Sequence, residues 1–404
     1  MKKISYLLAM LLLFIPNSKV SAYTFSRLGG INRYETAALI NKKLDSDTLI
    51  LTTGNNFADA LCANSLMQYY NAEIHLIDST LNQNIADILK SIDIYEFGKA
   101  IIIGGSGVIS KNIEEELKYI LGPKNVERIG GKDRYETSEL IAKKIFEINP
   151  YLDTAFITTG KNFPDALSVS SISATFGYPI ILTSGETLGN SSISILNNLT
   201  TCYKIGGEAV VSDKIDNLIT NKNIEINRLE GKTRYLTNQA VINEFYLSAY
   251  DHDTVYLASG SNFPDALVGS ALAAEDKAPV ILVENGDNKP AICIMKTFEN
   301  GNIIALGGEG VITNETITLL SNVKNRNIIF KHEDNITFTI NQGDAPDAKD
   351  IKLVAIDRNG QDCSNTFTLL NNIPPEEAGN KLGYIEFSVT IDKEIYFSKV
   401  YYSR

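Results

Sequence analysis

The apolar positions of this chain change their spacing several times, and the same changes recur in the same order three times. Apolar pairs spaced i,i+4 follow each Arg-Tyr dipeptide, as at Ile40 and Leu44, and they predict a helix. A short, continuously apolar stretch such as 48–53 comes next and predicts a strand buried on both faces. Strands and helices then alternate to the end of each unit. This alternation favours an α/β fold of parallel strands covered by helices on both faces.

Three sequence blocks mark these units. The first block, Arg-x-x-Gly-x-x-Arg-Tyr, occurs at 27–34, 128–135 and 228–235. The second block, Asn-Phe-Ala/Pro-Asp-Ala-Leu, occurs at 56–61, 162–167 and 262–267. The third block, Ile/Leu-Gly-Gly, occurs at 103–105, 205–207 and 306–308. Three blocks in one order, repeated three times, predict three copies of one domain, at 23–122, 123–222 and 223–324.

Both ends of the chain differ from the repeats. Residues 1–22 begin with two lysines, continue with a short apolar run and end in Val20-Ser21-Ala22, which predicts a secretory signal peptide cleaved after Ala22. Once it is removed, we expect no contact with a membrane. Residues 325–404 contain short apolar runs separated by turn residues such as Asn359-Gly360, and they predict a small all-β domain, expected to be an Ig-like sandwich.

Composition narrows the possible functions. The 404 residues are 44% hydrophobic and 21% charged, as in ordinary globular proteins. The net charge of −11 gives no overall basic field, so we expect no nucleic-acid partner. The three histidines are far apart in sequence, and the four cysteines form no CxxC pair. We therefore expect no metal, no cofactor, no catalytic triad and unpaired thiols.

The first block places a cation at the start of a predicted helix. Its predicted N-caps are Asn32, Asp133 and Thr233. The residues that follow them are the pairs Arg33-Tyr34, Arg134-Tyr135 and Arg234-Tyr235. A cation at the first helical position opposes the helix dipole, so something must compensate for it. Two explanations remain open: an internal ion pair with the aspartates of the second block, or contact with an anionic ligand.

The second block also has more than one reading. Its asparagines, which could cap the next helix, are Asn56, Asn162 and Asn262. Its aspartates, which suit the positive end of that helix, are Asp59, Asp165 and Asp265. Helix structure, ligand contact and catalysis are all possible roles, although the block supplies no second acid–base group. The Gly-Gly of the third block predicts a tight turn.

Taken together, the three blocks resemble the cell wall binding repeat type 2 family of Gram-positive surface proteins. The resemblance covers residues 25–322. It implies three Rossmann-like (toprim-like) units around a pseudo-threefold axis, in a monomer. It also implies binding to an anionic secondary cell wall polymer beside or beneath an S-layer.

The resemblance further implies that an apolar strand called Ile-Leu-Leu takes part in polymer binding. The matching residues are Ile180, Ile181 and Leu182 in the second copy, and Val280, Ile281 and Leu282 in the third. The first copy departs from the pattern, with His75 in this strand and Ala58 in place of proline. Glu230 replaces a glycine in the third copy. These departures predict that one or two of the three sites are weakened.

The leading hypothesis is therefore a secreted protein held on the wall of a Gram-positive bacterium by its repeats, without enzymatic activity. The tail would be displayed for adhesion or for interaction with S-layer proteins or a host surface. The main alternative is a wall-modifying amidase or glycosidase with an unrecognised active site. A third possibility is a soluble receptor for a small ligand, built on Rossmann-like units.

Overall fold

The computed structural model describes most of the repeat region and five strands of the tail. The described ranges are 24–77, 89, 92–221, 223–250, 254–286, 288–295, 301–323, 329–332, 353–356, 367–373, 382–391 and 394–403. The predicted signal peptide lies outside these ranges. Within them, no helix combines the length and the apolar character needed to cross a bilayer.

The order of elements follows the repeating pattern of the sequence. In the first copy the elements are β1 (Thr24–Leu28), α1 (Arg33–Asn41), β2 (Thr48–Thr53), α2 (Phe57–Ala63), β3 (Ala72–Ile77), β4 (Lys99–Ile103) and α3 (Lys111–Leu121). In the second copy they are β5 (Val126–Ile129), α4 (Arg134–Ile148), β6 (Thr154–Thr159), α5 (Pro164–Ser168), α6 (Ser170–Phe176), β7 (Ile180–Thr183), α7 (Asn190–Leu196) and β8 (Thr201–Ile205). In the third copy they are β9 (Glu225–Leu229), α8 (Arg234–Ala249), β10 (Thr254–Ser259), α9 (Pro264–Glu275), β11 (Val280–Val283), α10 (Lys289–Met295), β12 (Asn302–Leu306) and α11 (Asn314–Ser321).

The strands form three parallel four-stranded sheets, which confirms the predicted α/β class. Their orders are β3-β2-β4-β5, β7-β6-β8-β9 and β11-β10-β12-β1. The strands β2, β6 and β10 have almost every residue buried, as expected for strands covered on both faces.

Each sheet takes its fourth strand from the following copy. Strand β5 opens the second copy but completes the first sheet, and β9 completes the second sheet in the same way. The third sheet is completed by β1, in which Thr24 lies opposite Asn302 and Leu28 opposite Leu306. The exchange of strands therefore closes the three units into a ring. The predicted domain limits 23–122, 123–222 and 223–324 stay predictions about sequence units, since each sheet crosses them.

The ring has a common apolar core. One cluster of buried side chains joins all three copies, including Leu61, Ile172 and Leu267 from the helices that follow β2, β6 and β10. Contacts between helices run around the ring, from α2 to α4, from α5 to α8 and from α9 to α1. Two further clusters cover the other faces of the first and second sheets. This arrangement agrees with the pseudo-threefold organisation that the resemblance implied.

The second copy ends in a 3₁₀ helix, Asp213–Leu218, where the first and third copies end in the α-helices α3 and α11. Buried Lys204 accounts for this, because its Nζ donates hydrogen bonds to the carboxylates of both Asp213 and Asp216. Side chains three residues apart lie on the same face of a 3₁₀ helix, so this geometry lets one ammonium hold both acids.

The described part of the tail is entirely β. Strand β13 (Ile329–His332) pairs antiparallel with β14 (Leu353–Ile356). The strands β15 (Phe367–Ile373), β16 (Leu382–Ile391) and β17 (Glu394–Ser403) form an antiparallel sheet. The Ig-like sandwich stays a prediction, because much of 325–404 lies outside the described residues.

Candidate functional site

The three sequence blocks meet at the carboxyl edge of each sheet. In the first sheet β2 and β4 are neighbours, and the chain leaves them in opposite directions along the sheet. The second block follows β2 and the third block follows β4, so both lie at this switch point, where open α/β sheets bind their ligands. The first block follows β5, and it therefore comes from the next copy. The three blocks at one sheet edge therefore meet at a boundary between two copies.

The arginine of each Arg-Tyr pair spans such a boundary. The helices begin at Arg33, Arg134 and Arg234, as predicted. Each guanidinium donates a hydrogen bond to a glycine carbonyl of its own copy over 2.5–2.6 Å; the acceptors are Gly54, Gly160 and Gly260. Each guanidinium also lies over a phenylalanine side chain of the preceding copy, 5.2–6.0 Å from the centroid of its aromatic ring; the third copy precedes the first in this sense, because the units form a closed circle.

These rings form a compact cluster, which we call the phenylalanine triangle. Its members are Phe57, Phe163 and Phe263. The ring centroids are 5.9–6.2 Å apart, and one aromatic side chain comes from each copy. Tilted and edge-on contacts at such distances are favourable between aromatic rings. The triangle therefore ties the three copies together on the pseudo-threefold axis.

The aspartates of the second block are buried beside the triangle. They are 6–9% exposed, and they are Asp59, Asp165 and Asp265. Burial raises the pKa of all three, and the pKa of Asp265 reaches about 6. The opposing charges that lower these pKa values come from the next copy: Arg134 acts on Asp59, Arg234 on Asp165 and Arg33 on Asp265.

This arrangement bears on both explanations for the repeated arginine. Each arginine is attracted to a buried aspartate, but the attraction acts between copies. It does not outweigh the free-energy cost of burying the ionised carboxylate. Carboxyl groups whose pKa is raised by burial at a switch point are a feature of functional sites, as well as of structural charge networks.

The Gly-Gly of the third block forms a tight turn, as predicted, and allows the aspartate to approach. Gly206 and Gly307 both have a φ of +103°, which favours glycine. A Cβ on Gly307 would lie 2.5 Å from a carboxylate oxygen of Asp265. A side chain at this position would therefore displace the aspartate as well as strain the backbone.

The helix caps agree with the prediction in the first block and only partly in the second. The side chains of Asn32, Asp133 and Thr233 all accept backbone N–H hydrogen bonds. Asn56 caps α2 through a hydrogen bond from the N–H of Ala58.

The prediction that Asn162 and Asn262 cap their helices is wrong. Helices α5 and α9 begin at Pro164 and Pro264, so the cap position falls on the preceding phenylalanine. Proline favours the first helical position because its φ is fixed and it needs no N–H partner there. In the first copy Ala58 replaces this proline, and the helix starts one residue earlier. Asn162 and Asn262 are exposed beside the triangle.

The Ile-Leu-Leu stretches lie inside the protein. The six residues are at most 3% exposed, and they are Ile180, Ile181, Leu182, Val280, Ile281 and Leu282. They belong to β7 and β11, which are the edge strands of their sheets, and their side chains pack in the apolar clusters. In this conformation they offer no surface to a polymer, so we leave them out of the proposed site.

The edge of the third sheet carries an open cleft. It has a volume of about 670 Å³, and its lining residues are Lys232, Thr233, Arg234, Tyr235, Ser261 and Glu284. The start of α8, the loop after β10 and the loop after β11 supply them. Sequence reasoning missed Lys232, Ser261 and Glu284. Lys232 lies two residues before the Arg-Tyr pair, and Ser261 and Glu284 follow the buried strands β10 and β11, a signal that could have found them.

The first arginine of each first block was not predicted to have a role. Its guanidinium donates a hydrogen bond across the boundary between copies, to the carbonyl of the Gly that directly follows β4, β8 or β12. These hydrogen bonds join Arg27 to Gly307, Arg128 to Gly104 and Arg228 to Gly206. These bonds fasten the exchanged strands at the carboxyl edge. They make the first arginine a structural element of the ring.

Other chemistry is limited in the described part of the chain. No group of three or more His, Cys, Asp or Glu side chains there is placed to hold a metal ion. Cys62 and Cys202 are buried free thiols, as predicted for them. Cys363 lies outside the described residues.

Comparisons with known proteins agree with this geometry. The family model described as Cell wall binding domain 2 (CWB2) matches residues 27–114, 128–216 and 228–317. The chain is 29% identical over 319 residues to N-acetylmuramoyl-L-alanine amidase LytC of Bacillus subtilis (strain 168), covering 77% of this chain and 61% of that protein. It is 33% identical over 268 residues to the amidase enhancer of the same strain, covering 66% of this chain and 35% of that protein. The chain thus spans less than two thirds of either relative.

Two solved structures share the fold of the repeat region. Cwp8 from Clostridium difficile has a TM-score of 0.66 and 28% identity, covering 75% of this chain and 52% of its own. Cwp6 from Clostridium difficile has a TM-score of 0.66 and 27% identity, covering 76% of this chain and 48% of its own. Since the family model matches three stretches that make up more than half of the sequence, the chain belongs to the cell wall binding domain 2 (CWB2) family.

Proposed function

We propose that the three repeats hold this protein non-covalently on an anionic secondary cell wall polymer. The observation that carries the proposal is the position of the Arg-Tyr pairs. They lie at the carboxyl edge of each sheet, and in the third sheet they line an open cleft of about 670 Å³. A guanidinium beside a tyrosine suits a charged saccharide, because one binds the acidic group and the other packs on the sugar ring.

Local groups of cations support the binding of an acidic polymer by an acidic protein. The net charge of the chain is −11. In the second copy, however, Lys132 and Lys161 accompany Arg134 at the carboxyl edge, and both lysines are exposed. In the third copy, Lys232 accompanies Arg234. A polymer with repeated charges can therefore meet cations at several boundaries of one ring.

Repeated weak contacts suffice for anchoring. Linking several modest sites to one repeating ligand raises the overall affinity by about 10²–10⁴ without a new contact. The first copy has Ile31 where the other copies have Lys132 and Lys232, so we propose that it contributes less.

The other parts of the proposal concern the tail and the location. We propose that the protein is secreted by a Gram-positive bacterium, is monomeric and is retained at the wall or S-layer. Residues 325–404 would be displayed for adhesion, toward S-layer proteins or a host surface. The β-rich character of the described tail strands supports a compact display module.

A wall-modifying enzyme is the second candidate, because the chain is 29% identical to an amidase over 319 residues. We favour binding without catalysis. The aspartates of the second block are buried, and each interacts with an arginine of the next copy, which suits a structural role. Zymography of the full chain on purified walls separates the two: a cleared zone would establish the enzyme.

Sedimentation with purified walls tests the anchoring proposal. We expect the full chain to pellet with walls that carry their anionic polymer and to stay in solution with walls stripped of it. Lys232→Ala should weaken retention about two- to fivefold, the range of one exposed charge pair. Lys124→Ala is the matched control, since Lys124 is equally exposed but lies at the amino edge of the first sheet, before β5. Equal retention on both kinds of wall would refute the proposal.

A further inference from the structure

The three boundaries between copies lie close together, because the arginines of the Arg-Tyr pairs at these boundaries surround the pseudo-threefold axis. The centroids of the phenylalanine triangle are 5.9–6.2 Å apart, and each guanidinium lies 5.2–6.0 Å from one of those centroids. Each guanidinium therefore lies no farther from the pseudo-threefold axis than twice the distance between two phenylalanine centroids of the triangle. One compact ligand on that axis would be near all three copies at once.

The groups around the axis are chemically suited to an anion. Arg33 is exposed, while Arg134 and Arg234 are half-buried. Each holds its guanidinium in place by one hydrogen bond to a glycine carbonyl and by its position over a phenylalanine ring. The guanidinium fork has five N–H donors, so a fork fixed through one of them keeps others to offer to a bound anion.

Asparagines complete this surface. Asn56, Asn162 and Asn262 directly precede the three rings in sequence. Asn162 and Asn262 are exposed, and neither caps its helix. A side chain that has no capping task but recurs beside the axis is available to hydroxyl groups, which amides bind as donors and acceptors.

The aspartates of the second block are the negative groups near these arginines. Asp59, Asp165 and Asp265 are buried, and each interacts with the arginine of the next copy.

We propose that the three copies build one composite anion site on the pseudo-threefold axis, formed by Arg33, Arg134 and Arg234 around the phenylalanine triangle, which takes a single anionic group carried on a saccharide. This proposal rests on the anchoring function and adds a position and a stoichiometry to it: one axial ligand group per chain. It also gives the strand exchange a function, since β1 must close the ring to bring Arg33 to the axis.

Titration of the full chain with inorganic pyrophosphate, a compact polyanion, tests the site by calorimetry. We expect saturation at one equivalent. Arg33→Gln, Arg134→Gln and Arg234→Gln should each weaken binding by about tenfold, although they lie in different copies, and Arg234→Lys should restore part of the affinity. Binding of three equivalents of pyrophosphate, one of which is lost in each arginine variant, would overturn the axial site. The absence of any pyrophosphate binding would overturn it as well.

A second variant keeps the test valid if the arginine variants fold poorly. Asn162→Asp places a negative charge on an exposed residue beside the axis, and it should weaken pyrophosphate binding with an unchanged melting temperature. Asn223→Asp is its matched control, because Asn223 is exposed and precedes β9 at the amino edge of the second sheet. Equal affinities of the two variants would contradict the proposal.

The same proteins are then sedimented with walls. If walls retain a chain that binds no pyrophosphate, the axial site is wrong while anchoring stands. If walls with their polymer do not retain the chain, the anchoring function itself fails, whatever pyrophosphate does.

Discussion

The charge state of Asp265 offers a quantitative test of how the ring is held together. This carboxyl group is 7% exposed, and burial raises its pKa from 3.8 to about 6, although Arg33 acts in the opposite direction. The folded protein therefore binds a proton at Asp265 more tightly than the unfolded chain does. The contribution of this group to stability is fully present below pH 3.8 and is lost as the pH rises through 6.

The magnitude follows from the difference between the two pKa values. A shift of about two units corresponds to about 3 kcal/mol in the free energy of unfolding, counted between the protonated and the ionised group. Asparagine resembles the protonated aspartate in shape and has no charge to bury. We therefore expect Asp265→Asn to be more stable than the parent protein by about 1–3 kcal/mol at pH 8 and equally stable at pH 3.5.

Urea denaturation followed by circular dichroism between pH 3.5 and 8 measures this difference. Asp213→Asn is the control with the opposite sign. Hydrogen bonds from Lys204 and then Arg228 lower the pKa of Asp213 to about 2, so that carboxylate stabilises the fold when ionised. Its asparagine variant should lose stability at neutral pH.

One result would refute the reasoning about Asp265. If Asp265→Asn were less stable than the parent at pH 8, attraction to Arg33 would outweigh the cost of burial. The Asp–Arg contact between copies would then be an ion pair that holds the ring closed, and the repeated arginine would need no ligand to explain it.

Three further predictions concern the ring itself. Phe163→Ala removes one member of the phenylalanine triangle and should destabilise the fold by about 2–4 kcal/mol. Because the copies share one core, calorimetry should show a single melting transition, and two resolved transitions would contradict that shared core. Arg228→Ala removes the hydrogen bonds from this side chain to the carbonyls of Gly206 and Val211. It should lower the free energy of unfolding, measured by urea denaturation, by about 1–3 kcal/mol. A decrease of less than a few tenths of a kcal/mol would show that these hydrogen bonds do not stabilise the exchanged strand. Deleting 24–28 leaves the edge of β12 unpaired, so size-exclusion chromatography should detect self-association, and a monomer with an unchanged melting temperature would contradict ring closure.

The sequence predicts the local elements well because apolar periodicity reports burial directly. The strand at 48–53 matches its predicted bounds residue for residue. Helix starts at Arg33, Arg134 and Arg234 follow from the cap residues before them. These features depend on neighbours in sequence, which a single chain displays without further information.

Relations between copies are harder to predict. The strand before each Arg-Tyr pair could join its own sheet or the preceding one, and nothing in Thr24–Leu28 specifies a partner 278 residues away. The cross-copy pairing of Arg33 with Asp265 follows only from that choice. Local details that depend on one residue also escaped prediction, such as the helix start set by Pro164 and the 3₁₀ helix held by buried Lys204.

Quantitative binding to purified walls, with and without their anionic polymer, is the decisive measurement for anchoring by the repeats. The full chain and its Lys232→Ala and Lys124→Ala variants are compared on both kinds of wall. We expect saturable retention that requires the polymer, falls with added salt and is weakened by the Lys232 change alone. Retention that survives removal of the polymer, or that both lysine changes weaken alike, would contradict it.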